Sequence, residues 1–250
     1  DERSCERTGE EMRQGELLLK QMRENHPRVH CIANLAAGPD VANILLAAGA
    51  RPILAQAKEE AGEIAAACAA AVLNFGTPDE EKLKGILAAG LGAKAAGVPV
   101  TADPVGAGAS ALRTQTALKL LEEVQFTVVR GNISEIKTLA AGAGTTKGVD
   151  ADGADAVTED NLDASVAFAK SMAERLNAVV AITGAIDLVA DEKTCYVIRN
   201  GRPEMGRITG TGCQLSGLTA AYVVANPDRP LEAAAAAVAS MGLAGEIGWS

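Results

Sequence analysis

Stacking platforms are what this sequence has least of: one Trp, two Tyr and three Phe, 2% of 250 residues. Single strands of nucleic acid are held by aromatic stacking and duplexes by concentrated Lys and Arg, whereas the formal charge here is −9. A nucleic-acid partner is therefore not expected. Histidine is equally scarce, with only His26 and His30, which excludes a multi-histidine metal site. His30 reads as a satisfied strand residue rather than a catalyst. The five cysteines (Cys5, Cys31, Cys68, Cys195 and Cys213) are odd in number, far apart and without a C-x-x-C pair. Neither a disulfide framework nor a zinc cluster is implied, and reduced thiols are the expectation. No uninterrupted apolar run approaches the roughly 20 residues that cross a bilayer, and the charged start DERSCER lacks the apolar segment of a secretory signal. These features predict a soluble, cytoplasmic protein without a membrane partner. No G-x-x-x-x-G-K-[ST] loop is present, so any bound phosphate must be gripped by another device.

What the sequence does have is alternation. Hydrophobic residues make up 48% of the chain, and they recur as short strand-like runs separated by longer helix-like ones, with no linker between them. One α/β domain over 1–250 is expected, with an N-terminal helical segment at 1–27. The spacing predicts helices at 9–25, 39–48, 58–70, 79–96, 114–124 and 161–176, and strands at 28–34, 52–55, 71–75, 98–103, 126–130 and 178–182. Residues 140–155, rich in Gly, Ala, Thr and Asp, read as a surface loop. Runs at 187–190 and 194–198 around Asp191-Glu-Lys193 read as a hairpin, which would make one edge of a mostly parallel sheet antiparallel. Alanine-rich helices at 213–225 and 230–247 close the chain.

Parallel sheets bind ligands beyond the carboxyl ends of their strands, and those positions are chemically loaded: Asn34, Asn74, Asp103, Arg130, Asn132, Thr183 and Gly184. The sharpest signal is GRITGTGC at 206–213, where small residues ahead of an apolar helix let several backbone N–H groups converge on an anion. A tight turn leading into a buried Cys213 fits the same string. Asn132-Ile-Ser-Glu135 suits either a carboxylate that holds magnesium or a helix capping box, and capping is the simpler reading. Asp103, ahead of the glycine-rich PVGAGA, either caps that turn or shares a metal with Glu135. The GAGASA string at 106–111 lies in the wrong part of the chain for a dinucleotide fingerprint.

In order along the chain stand KEE at 58–60, DPVGAG at 103–108, VRGNISEI at 129–136, KGVD at 147–150, ITG at 182–184 and TGTGC at 209–213. Together they resemble the hydroxyethylthiazole kinase family over residues 29–245. The resemblance implies a ribokinase-like three-layer sandwich with helices on both faces of a mostly parallel sheet. It also implies ATP as co-substrate, Mg2+, and a homotrimer whose alcohol sites lie between subunits. Carried over by residue, it makes Arg130, Thr183 and Gly212 ATP contacts and Asp103 and Glu135 the magnesium acids. Asn34, Leu54 and Gly210 become substrate contacts, and Cys213 the catalytic residue beside the reacting hydroxyl. Related kinases of this fold usually place Asp there. A thiol of ordinary pKa near 8.5, lowered at a helix N-terminus, still suffices for phosphoryl transfer, in which positioning and charge neutralisation outweigh early proton removal.

The segment IANLAAGPDV at 32–41 departs from the I-T-N-x-V-x-M-N-F pattern of the relatives, and Leu54 stands where they have Met. Because that stretch lines the thiazole pocket in the family, three readings stand. They are phosphorylation of 4-methyl-5-(2-hydroxyethyl)thiazole in thiamine salvage, phosphorylation of another small heterocyclic alcohol by the same machinery, and a catalytically weak binding homologue.

Overall fold

Short runs of β-branched residues and long runs of alanine, leucine and charged residues alternate along the chain, and most adopt the element their composition favours. The computed structural model describes residues 2–142 and 156–249, with side chains from residue 13. The elements run α1 (Glu2–Asn25), β1 (Arg28–Ile32), α2 (Gly38–Ala48), β2 (Arg51–Leu54), α3 (Lys58–Ala67), β3 (Ala70–Asn74), α4 (Glu80–Ala96), β4 (Val100–Asp103), α5 (Ala111–Glu123), β5 (Val128–Asn132) and α6 (Ile133–Gly142). They continue α7 (Leu162–Leu176), β6 (Val179–Thr183), β7 (Asp187–Ala190), β8 (Cys195–Ile198), a 3₁₀ turn (Pro203–Arg207), α8 (Thr211–Ala225) and α9 (Pro230–Gly248). The expected 140–155 loop and the KGVD string at 147–150 lie largely outside the described residues; Ala140 and Gly142 belong to the last turn of α6.

Eight strands form one sheet in the order β2-β1-β3-β4-β5-β6-β7-β8. β1 to β6 pair in parallel, and β7 and β8 join as the antiparallel edge. Helices cover both faces. Residues such as Leu73, Ile86, Leu120, Ile136 and Met172 form the core against α3 to α7, while Val29, Leu45, Val72, Tyr222 and Val238 form the core against α1, α2, α8 and α9. α9, 19 residues with a mean hydropathy of 1.2, is long and apolar enough to cross a membrane by length and composition. Here it packs on α8 and on β6 to β8, with Ala233, Ala234 and Ala237 fully buried.

Boundaries moved where alanine or a turn residue blurred them. The helix expected over 58–70 stops at Ala67, because Cys68 turns extended (φ −93°, ψ 164°) and Ala70 already pairs with Val29. Alanine carries no signal for that switch. β1 ends at Ile32, two residues before the expected end, as Asn34 turns back to accept from the Ala36 amide at 3.0 Å. β5 starts and ends two residues late, drawn on by β6, whose Ile182 and Thr183 pair with Gly131 and Asn132.

The parallel strands therefore finish at one edge, and register sets Asn74 beside Asp103 and Asn132 beside Thr183. α8 is buried along nearly its whole length, from Cys213 to Val223, and packs across β1, β3, β4 and β5. Beneath the sheet's other face, α3 and α4 lie close because Gly62 and Gly92 meet backbone to backbone, so that a Cβ at Gly92 would overlap the Gly62 peptide. Gly92→Ala gains about 1 kcal/mol in helix propensity but must move a backbone, at a cost of about 1–3 kcal/mol. A net loss of stability is the expected outcome in urea titration.

Candidate active site

Asp103, the last residue of β4, has no exposed surface. Its Oδ2 accepts from Ser216 Oγ at 2.8 Å, Asn74 Nδ2 at 3.2 Å and Arg130 Nη1 at 3.4 Å. Arg130 rises from β5, is 6% exposed, and donates through Nη2 to Thr183 Oγ1 at 3.3 Å. Burial pushes the Asp103 carboxyl up to about 6; Arg130 and Ser216 oppose that and nearby Glu135 reinforces it. Asp103 Oδ1 and Arg130 Nε have no hydrogen-bond partner among the described residues. Buried polar atoms are normally paired, so two orphans in one ion pair mark a place built to receive something polar.

Cys213 lies in the first turn of α8, behind Gly210, whose left-handed φ of 83° starts the helix. Its Sγ accepts from Asn34 Nδ2 at 3.1 Å and Asn74 Nδ2 at 3.2 Å. Neither amide is free to turn round. The Ala36 amide donates to Asn34 Oδ1 at 3.0 Å and the Gly76 amide to Asn74 Oδ1 at 2.9 Å, so both NH2 groups must face the sulfur. The thiol is not lowered, as its place in the first turn of a helix had led us to expect. Burial raises it, Asp103 raises it further, and the two amides and Arg130 only partly compensate.

Glycine is required on both sides of this turn. A Cβ at Gly210 would stand 2.8 Å from that of Ala37, and one at Gly212 would stand 2.6 Å from Arg130 Nη1. Glu135 completes a capping box: its N donates to Asn132 Oδ1 at 2.8 Å, and its Oε2 accepts from Asn132 N at 2.9 Å. Its Oε1 also accepts from Gly106 N at 2.8 Å, which ties the PVGAGA turn to β5. The capping reading thus describes the backbone, while the charge still reaches Asp103.

The structure brings Asn34, Asp103, Arg130, Thr183, Gly212 and Cys213 together, sets Glu135 beside them and places Gly210 against Ala37. Leu54 stands apart on the edge strand β2, 50% exposed, on the side of Gly38. Two residues escaped the sequence reading. Ser216 is one turn beyond Gly212 in an apolar helix, with no string to mark it. Lys82 is 2% exposed and donates through Nζ to the Gly76 carbonyl; its only signal is that it shares the phase of Ile86 and Ala89. Asn74 was visible as a strand-end residue, but its double role was not. A separate cleft of about 590 Å³, lined by Leu18, Leu19, Tyr196, Ile198, Ala236 and Leu243 among others, holds none of these groups.

Residues 19–248 match the family described as hydroxyethylthiazole kinase. The chain belongs to the hydroxyethylthiazole kinase family. It is 53% identical to the hydroxyethylthiazole kinase of Clostridium acetobutylicum over 93% of this chain and 85% of that protein. With the Desulfovibrio desulfuricans hydroxyethylthiazole kinase it shares 43% identity over 92% of this chain and 81% of the relative. The hydroxyethylthiazole kinase structure from Pyrococcus horikoshii OT3 superposes with a TM-score of 0.82 at 34% identity, covering 93% of this chain and 84% of that one. A ribokinase-like superfamily protein from Enterococcus faecalis V583 matches with a TM-score of 0.62 at 14% identity, over 91% and 81% of the two chains, so the fold is ribokinase-like. The family is one of phosphotransferases, and its kinase chemistry implies ATP as co-substrate.

The packing around Asp103 predicts opposite responses from two hydroxyls on α8, both fully buried. Ser216→Ala removes a donor from a buried carboxylate and is expected to cost about 1–3 kcal/mol. Thr219 Oγ1 makes no hydrogen bond among the described residues, so Thr219→Val is expected to leave stability unchanged or raise it. Urea midpoints of the two variants check this.

Proposed function

We propose that this chain phosphorylates the side-chain hydroxyl of 4-methyl-5-(2-hydroxyethyl)thiazole with ATP, a salvage step toward thiamine. One observation carries the reading: in a member of this family, Cys213 Sγ is held by two fixed amides at the N-terminus of α8, beside the buried Asp103–Arg130 pair. Arg130, Thr183 and the amides around Gly212 take the nucleotide's phosphates, since a helix N-terminus with small residues admits an anion. Asn34 and Gly210 bound the alcohol, and Leu54, which stands apart from them within one chain, does so across the contact with a neighbouring copy. The 33–41 segment supports that assignment, because Ala37 packs on Gly210 and Gly38 faces Leu54.

Mg2+ fits the residues present. It is held in kinases by one or two carboxylates together with substrate phosphates and water, and Asp103 offers a buried oxygen without a partner. Glu135 stands near enough to act on Asp103, directly or through water. When bound, the ion neutralises charge on the triphosphate. The chain's own residues do the rest. Arg130 balances charge on the transferred group, and the pocket aligns the hydroxyl oxygen with the γ-phosphorus. As the new P–O bond forms and the bond to ADP breaks, the hydroxyl proton passes to Cys213 Sγ when that sulfur is ionised. Burial and Asp103 favour the thiol over the thiolate, so the base is the minor form of Cys213, in keeping with a residue that helps the transfer without being required.

Residues 1–250 act as one kinase domain in the cytoplasm, and three copies complete the alcohol pocket. Leu35, 87% exposed next to Asn34, and half-exposed Leu54 supply apolar surface beside the site for a neighbouring copy to cover.

A coupled ATP-consumption assay over a panel of heterocyclic alcohols tests the reading. Thiazole-dependent turnover is expected. Turnover only with another alcohol would reassign the acceptor, and saturable binding without turnover would make the protein a binder. Cys213→Ala is expected to keep part of the activity, losing about 10²-fold or less in kcat, while Cys213→Asp retains or exceeds the parent rate. Complete loss in Cys213→Ala with ATP binding intact would show the thiol to be obligatory.

A further inference from the structure

Lys82 stands out among the charged side chains because it is 2% exposed and no carboxylate lies within ion-pair distance of its ammonium among the described residues. A solitary buried charge is costly, and the string that contains it, DEEKLKG, offers solvent-facing alternatives one residue away. Its main chain is the first part of the explanation: Lys82 N donates to Asp79 Oδ1 at 2.8 Å, closing the N-cap of α4. The side chain then folds back, and Nζ donates to the carbonyl of Gly76. Gly76 is the residue whose amide fixes Asn74, through the 2.9 Å bond to Asn74 Oδ1. Asn74 Nδ2 in turn bridges Cys213 Sγ at 3.2 Å and Asp103 Oδ2 at 3.2 Å.

These contacts, joined at the Gly76 Cα between its carbonyl and its amide, connect the ammonium to both reactive groups, and we infer that Lys82 is a positioning residue for the phosphoryl transfer. By gripping the Gly76 carbonyl it holds the 74–76 turn so that the Asn74 amide faces the Cys213 sulfur and the Asp103 carboxylate at once. Without that grip, the torsions at Gly76 are less restrained, its N–H is held less firmly on Asn74 Oδ1, which then leans on the longer 3.4 Å contact from Asn34 Nδ2, and the Asn74 amide turns more readily. A flipped amide would turn its oxygen on the Asp103 carboxylate, which needs a donor, and would withdraw an N–H from the Cys213 sulfur. A second observation agrees. Burial lowers the Lys82 ammonium to about 8, against the pull of Asp79, Cys213 and Asp103 and with Arg113 adding to the depression. The charge is thus felt by the same two groups that the hydrogen bonds reach.

The inference rests on the kinase reading for its kinetic arm only. The decisive variant is Lys82→Met, which keeps the length of the side chain and removes charge and donor; because it leaves the buried Gly76 carbonyl without its donor, its folding is checked first by urea midpoint. First, the side-chain amide of Asn74, assigned by the pair of resonances missing in Asn74→Ala, is followed by NMR solvent exchange. Exchange at least about tenfold faster in Lys82→Met is expected if the turn is released; a rate within twofold of the parent overturns the inference whatever the protein catalyses. Second, kcat is measured in a double-mutant cycle. Lys82→Met is expected to lose about tenfold in the parent and less than about twofold in the Asn74→Ala background. Equal losses in both backgrounds would mean that Lys82 acts independently of Asn74, which also sinks the proposal. Should Lys82→Met fail to fold, the cycle and the exchange measurement are run with Lys82→Leu, which also lacks a donor, with the same coupling required. A parent enzyme inactive on every alcohol would defeat the proposed function and leave the exchange measurement to decide on Lys82.

Discussion

A single carboxylate oxygen, Asp103 Oδ2, ties the molecule together. It draws Ser216 from α8, Asn74 from β3 and Arg130 from β5 to one point at the end of β4. Burial raises the pKa of that carboxyl, so each of these donors works against desolvation rather than adding a surplus. The consequence reaches beyond Asp103. Because Asn74 divides its NH2 group between Asp103 and Cys213, the sulfur's environment is set by the same hydrogen bonds that satisfy the carboxylate. Arg130 likewise divides its guanidinium between Asp103 and Thr183, which carries the arrangement across to β6.

Much of this was legible in the residues. Strand and helix order followed from apolar periodicity, and the carboxyl-edge rule picked out Asn34, Asn74, Asp103, Arg130 and Thr183 before any coordinates. What escaped notice did so for physical reasons. Alanine-rich stretches such as 58–70 carry no boundary, because alanine is at home in a helix and small enough for a crowded strand. Lys82 shares the phase of the buried Ile86 and Ala89, but a charge in a run of charges is ordinarily placed in solvent. Ser216 and the double role of Asn74 depend on register, on β3 ending level with β4 beneath one turn of α8, and register is a property of pairing rather than of any one segment. The expected depression of the Cys213 thiol failed because the argument weighed the helix terminus and not the burial or the neighbouring carboxylate.

Two kinds of surface meet at the site. One wall is α8, buried along its length and bonded to the sheet. The other is the 33–41 segment, where Leu35 is exposed, Ala37 packs closely on Gly210 and Gly38 lies against Leu54.

That division has a consequence for how such a protein diversifies. A helix that is at once the floor of the reaction site and a principal part of the core cannot be altered piecemeal, since a replacement there is judged by folding before it is judged by chemistry. The rim carries no such double duty. Replacements that the fold tolerates therefore fall more readily on the rim than on that helix.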